Sequence, residues 1–252
     1  MIVRITIGAT LVQIYDGSPQ YRAATTCTLS QTTLPTAAVS DAHHDTTWAT
    51  ELGAAVYHVS TDNVSTISPR FRHKLALWSF PVDVVVFLDT DVALYNPAAV
   101  PASLHARVPN HTLMSADVAS GTNPNSGIMV FAPNPADHRT VSACISAPTL
   151  TPHDDGDQQI MSSCFAALDR VLILGPLWGP QLLLNYDGSP LGNSDTTHMI
   201  SQILRGVYTP FAVHFGWPKP WHFRSHFKRP TNASALVARW CEQLLAFGHF
   251  PP

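Results

Sequence analysis

Residues 84–88, Val-Val-Val-Phe-Leu, form an unbroken apolar run between Asp83 and Asp89. The run is short, largely β-branched and without polar alternation, the pattern of a strand covered on both faces. Such a strand belongs in the middle of a parallel sheet with helices packed above and below it. The surrounding sequence supplies the remaining parts. Residues 3–15, 34–40 and 54–59 read as further strands, and residues 19–31, about 44–53 and 68–80 as helices. In the last of these, Ser68 serves as N-cap, Pro69 occupies the first turn, and Phe71, Leu75 and Trp78 share a face. Strand alternating with helix predicts an α/β domain. Downstream, residues 111–117, 127–133, 170–174 and 211–215 read as strands. Residues 135–145, 157–168 and 231–248 read as helices, the last ending at Gly248.

No repeat, linker or low-complexity block interrupts the 252 residues, so one domain is expected. Hydrophobic residues make up 45% and charged residues 12%, which excludes general disorder. A net charge of −3 gives no electrostatic basis for wrapping nucleic acid. The basic and aromatic tract at residues 219–229 is too short, in an acidic chain, to change that. Four cysteines without a C-x-x-C pair read as reduced intracellular thiols. The N-terminal segment carries Arg4 and no cleavage site, and no run of 18 apolar residues exists. These features predict a cytoplasmic protein without a membrane span. The sequons at Asn63, Asn110 and Asn232 are read as chance matches in a Ser/Thr-rich chain.

The carboxyl end of the apolar run carries Asp89-Thr90-Asp91. Were the strand to continue through Asp91, both carboxylates would project to one face. Ligands of open α/β sheets bind outside the carboxyl ends of the strands, and paired carboxylates there suit a divalent cation that also grips phosphate. A D-x-D spacing arises by chance roughly once in a chain with this many aspartates, and a second occurs at Asp155/Asp157. The other reading is a solvated turn. The company it keeps favours chemistry. Lys74 lies fifteen residues upstream, and downstream come Asn125-Ser126-Gly127, "DDGDQQ" from Asp154, and "HFGWPKPW" from His214.

With these motifs in this order, from about residue 15 to 223, the sequence resembles the retaining glycosyltransferases of family 8, the glycogenin-like and galactosyltransferase-like enzymes. The resemblance implies a single-domain A-type glycosyltransferase fold, with a mostly parallel Rossmann-like sheet flanked by helices. About residues 1–130 would form the nucleotide-sugar-binding half and about 131–252 the acceptor side. It further implies that Asp89, Asp91 and His214 ligate Mn²⁺, with Mg²⁺ the alternative, and that the ion bridges the diphosphate of a UDP-sugar donor. Two carboxylates and an imidazole suit that ion on chemical grounds. Thr90, Lys74, Asn125, Ser126, Asp154, Gly216 and Lys219 join the implied donor-binding set. Gly127 would permit close backbone approach. Tyr21, with Tyr15 and Asp16, would seat the base.

Asp157, Gln158 and Lys219 are the implied catalytic residues, with Lys219 offsetting charge on the leaving diphosphate. Asp157 reads equally as a helix N-cap. No side chain is a compelling nucleophile, which favours front-face attack over a covalent intermediate. Two departures stand out. Only four residues separate His214 from Lys219, shorter than the family's usual spacing, and "YDGSPQY" replaces its usual Asn-Asp pair after the first strand. A donor-binding protein with little transferase activity, and a self-glycosylating enzyme, are the alternative functions. The sequence leaves the sugar, the acceptor and the oligomeric state open, a homodimer included.

Overall fold

The computed structural model describes residues 9–15, 19–30, 32, 34–41, 43–59, 69–94, 108, 111–116, 124–145, 164, 171–174, 179, 181–182, 194–207 and 210–215. Strand β1 (Ala9–Tyr15) leads into helix α1 (Pro19–Ser30), then β2 (Thr36–Ser40), α2 (Thr47–Glu51) and β3 (Ala55–His58). Helix α3 (Pro69–Ala76) tightens into a 3₁₀ turn at Leu77–Ser79 before β4 (Val84–Leu88) and β5 (Val92–Leu94). Strands β6 (Thr112–Ala116) and β7 (Pro124–Phe131) precede α4 (Pro135–Ile145). The remaining elements are β8 (Val171–Leu174), β9 (Gln181–Leu182), α5 (Ser194–Leu204) and β10 (Ala212–Phe215).

Among the described residues the main sheet has seven strands in the order β3-β2-β1-β4-β7-β6-β8, and a smaller sheet pairs β5-β10-β9. Strand β7 alone in the main sheet runs against its neighbours, β4 and β6. The other main-sheet pairs are parallel. The mostly parallel α/β architecture expected from the sequence is therefore present.

The apolar run of β4 lies at the centre, every residue buried. Its side chains alternate between two cores. Val84, Val86 and Leu88 join Leu11, Trp48, Ile128 and Val130 on one face. Val85 and Phe87 join Val12, Leu77, Trp78, Met129 and Phe131 on the other. The Trp78 and Phe131 rings stack with centroids 4.6 Å apart, fixing the turn after α3 against the sheet. Short helix α2 is started by Asp45, whose Oδ1 accepts from the Thr47 N–H at 3.0 Å. That turn presents Trp48 to the core, where it is 4% exposed.

Two expectations need correction. The β4 strand stops at Leu88, and a turn separates it from β5, so Asp89 and Asp91 do not share a face through strand pleating. The four thiols are not all reduced: Cys144 and Cys164 form a disulfide across a Cα–Cα distance of 5.6 Å. Packing of α4 onto the core that contains Cys164 brings the pair together, a proximity that spacing along the chain does not reveal. Cys27 is buried and takes no part in a disulfide. Helix α5 and strands β5 and β9 were not expected, and residues 231–248 lie outside the described residues.

Candidate active site

The strand order reverses beside β1. From β1 the chain steps outward through β2 and β3, then returns to place β4 on the other side of β1. A crevice opens at such a switch point, outside the carboxyl ends of the two strands. Gln13, fully buried within β1, bridges the gap by donating from Nε2 to the Asp89 carbonyl at 3.3 Å. Sequence reasoning missed this residue. Its signal is a lone amide flanked by apolar Val12 and Ile14 inside a buried strand.

The two carboxylates converge through backbone turns. Val92 N–H donates to the Asp89 carbonyl at 3.0 Å, closing a tight turn over residues 89–92. Asp89 N–H donates to the Gly127 carbonyl at 2.8 Å, and Phe215 N–H to the Asp91 carbonyl at 2.9 Å. The turn is thus pinned on one side by β7 and on the other by β10. Antiparallel pairing of β10 with β5 sets His214 opposite Val92 and brings its Nε2 to 3.4 Å from Asp91 Oδ1. Ligand atoms of Asp89, Asp91 and His214 all lie within 4.8 Å of one another.

Lys74, on α3, completes the cluster. Its ammonium lies 3.0 Å from Asp89 Oδ2 and 3.2 Å from Ser126 Oγ, and 5.3 Å from the centroid of the Phe87 ring. Although only 3% exposed, the charge is stabilised by a carboxylate, a hydroxyl and an aromatic face.

Strand β7 supplies the wall. Its register against β6 jumps between Met114/Met129 and Ser115/Asn125, leaving Ser126, Gly127 and Ile128 without opposing β6 residues. Asn125 folds back so that its Oδ1 accepts from the Gly127 N–H at 2.8 Å. A Cβ at Gly127 would stand 2.4 Å from His214 Cε1 and 2.7 Å from its Nδ1. Glycine here makes room for the imidazole of His214.

The donor set suits a divalent cation. It offers two carboxylates and one imidazole, and among the described residues His214 Nδ1 and Asn125 Nδ2 are buried without hydrogen-bond partners. Oxygen-rich ligation with one nitrogen is the chemistry of Mn²⁺ or Mg²⁺ sites rather than of a thiolate-bound metal.

Of the residues expected from the sequence, Lys74, Asp89, Thr90, Asp91, Asn125, Ser126 and His214 fall on these converging segments. Tyr15 is buried and packs edge-on to Trp48 and His44, while Tyr21 is half-buried against the same core. Asp16, Asp154, Asp157, Gln158, Gly216 and Lys219 lie outside the described residues.

The mostly parallel sheet with one reversed strand, and the acidic turn after its central strand, define an A-type glycosyltransferase fold. The chain is similar to the solved glycosyltransferase GlyE of Streptococcus pneumoniae, with a TM-score of 0.60 at 13% identity, over 96% of this chain and 64% of that one. It is also similar to the bifunctional glycosyltransferase WbbM, with a TM-score of 0.58 at 14% identity, over 95% of this chain and 53% of that one. The chain therefore spans less than two thirds of the length of either protein. No family model and no curated protein matches the sequence.

Proposed function

We propose that this protein is a metal-assisted retaining glycosyltransferase of the family 8 kind, transferring a hexose or related sugar from a UDP-sugar. The observation that supports this reading most is the convergence of Asp89, Asp91 and His214 at the switch point of the sheet, drawn from segments more than 120 residues apart in sequence. In this reading Asp89, Asp91 and His214 hold a divalent ion, taken as Mn²⁺. The bound ion would supply charge neutralisation for the departing diphosphate.

Lys74 orients Asp89 and adds positive charge beside the donor. Asn125, whose buried Nδ2 has no partner among the described residues, and Ser126 offer hydrogen bonds to the sugar. Asp154, Asp157, Gln158 and Lys219 keep the roles that the resemblance implies, with front-face attack as the retaining route. Tyr15, Asp16 and Tyr21 form the base side, and one domain of 252 residues carries both donor and acceptor sides.

The acceptor is a saccharide, a protein or a small polyol. Among the described residues no helix is long and apolar enough to cross a membrane. The Cys144–Cys164 bond fits an oxidising compartment better than the reducing cytoplasm expected from cysteine spacing.

The test is binding and turnover together. Mn²⁺ with UDP-sugar at 100 times its dissociation constant is expected to stabilise the fold by about 2.7 kcal/mol. A panel of nucleotide-sugars incubated with the protein identifies the donor by released nucleoside diphosphate. Absence of both stabilisation and release across the panel sinks the proposal. The short spacing from His214 to Lys219 favours a second reading, a donor-binding protein with little transferase activity. Stabilisation without release, with or without added acceptors, selects it. Growth of the intact mass in hexose steps, with donor and Mn²⁺ alone, selects a self-glycosylating enzyme.

A further inference from the structure

The loop leaving β2 carries Asp41, His43 and His44, and one ligand atom from each lies within 4.8 Å of the others. Two of these side chains are held from behind by neighbours that leave a ligand atom available. Ser40 Oγ donates to the Tyr15 carbonyl at 2.9 Å. A hydroxyl has one proton to give, so at its 3.0 Å contact with His44 Nδ1 the same oxygen accepts. The neutral His44 ring therefore carries its hydrogen on Nδ1, and Nε2 keeps the lone pair that a metal needs.

Asp41 is held in the same manner. His73, 2% exposed on α3, donates from Nε2 to Asp41 Oδ1 at 3.0 Å, leaving Oδ2 outside that bond. His43 is exposed, with its ring centroid 4.1 Å from that of His44.

We propose that Asp41, His43 and His44 form a second cation site, separate from the Asp89–Asp91–His214 cluster, that takes a borderline transition metal of the zinc class. Two imidazoles and one carboxylate are a ligand set typical of zinc, with a fourth position left for water. Bonds of about 2.1 Å place ligand atoms around a tetrahedral ion about 3.4 Å apart. Closing from the present spacing, up to 4.8 Å, to that value requires side-chain rotation, for which exposed His43 is the least restrained of the three. The ion ties the loop after β2 to the carboxyl end of β1 through Ser40, and to α3 through His73. It acts as a clamp on the edge of the sheet next to the switch point, and it does not depend on the transferase reading.

The test uses the full chain carrying Asp89→Asn and Asp91→Asn, which disables the first cluster, with the fold checked by circular dichroism. Zinc titrated alone into this variant by calorimetry is expected to bind at one equivalent. Adding His43→Ala and His44→Ala is expected to abolish that equivalent. Ser40→Ala, which releases the His44 tautomer, is expected to weaken it by roughly tenfold or more. Cobalt in place of zinc should give visible absorption bands that vanish in the same histidine variants. A folded Asp89→Asn/Asp91→Asn protein that binds no zinc overturns the proposal, as does one whose zinc binding survives loss of both histidines.

Discussion

Gly127 leaves no space for a β-carbon, because His214 Cε1 would stand 2.4 Å from it. Gly127→Ala therefore forces the imidazole to move. On the proposed metal reading, the expected result is at least about a tenfold loss of Mn²⁺ affinity, with a stability cost of about 1–3 kcal/mol from overpacking. Metal titration and chemical denaturation on the same variant separate the two effects; unchanged affinity would show that the ring is not a ligand. On the proposed function, Asp89→Asn and Asp91→Asn are each expected to reduce donor turnover by roughly 100-fold or more, with the fold retained.

Cys27 provides a check on burial at the same scale. Desolvation pushes its thiol up to about 12, from the ordinary value of 9.0. A raised folded-state value means that the folded protein keeps the proton while the unfolded chain gives it up. Its contribution is complete below pH 9.0 and is lost as pH rises toward about 12. The slope is at most about 1.4 kcal/mol per pH unit. Urea titrations at pH 8 and pH 10 should show a smaller fall for Cys27→Ala than for the wild type.

At the scale of elements, β4 was legible because its pattern is local. Five buried apolar residues bounded by aspartates can be read without knowing what covers them. The acidic turn was visible in sequence but its geometry was not: pairing to Gly127 and Phe215, both distant in sequence, replaces pleat alternation as the cause of convergence. Helix α5 had a readable sign that was passed over, since Ile200 and Ile203 recur at helical spacing and are buried. The link between α4 and Cys164 had none. Its presence predicts two titratable thiols in the denatured, unreduced protein and four after reduction. Closing a loop of 20 residues, the bond contributes about 3 kcal/mol on the chain-entropy account. Cys144→Ser/Cys164→Ser should lower stability by that order, measured under non-reducing conditions.

Taken whole, the molecule puts two cores on the two faces of one sheet, both built on side chains of β1, β2, β4 and β7. A single domain on that plan should unfold in one calorimetric transition, with calorimetric and van't Hoff enthalpies equal; two separated transitions would divide it. What the sequence alone determined was the α/β class, the central strand, and a set of candidate ligands in their order along the chain. Periodicity and β-branching act through neighbours, so they survive without a structure. What only the tertiary structure decided was which candidates meet. Lys74 reaches Asp89 because α3 packs against β1, the neighbour of β4 in the sheet. His214 reaches Asp91 because β10 pairs with β5, and Gly127 makes room for the ring because β7 is bulged beside it. The reason is physical: a metal site depends on distances of a few ångströms between segments far apart in sequence, and sheet pairing with core packing sets those distances.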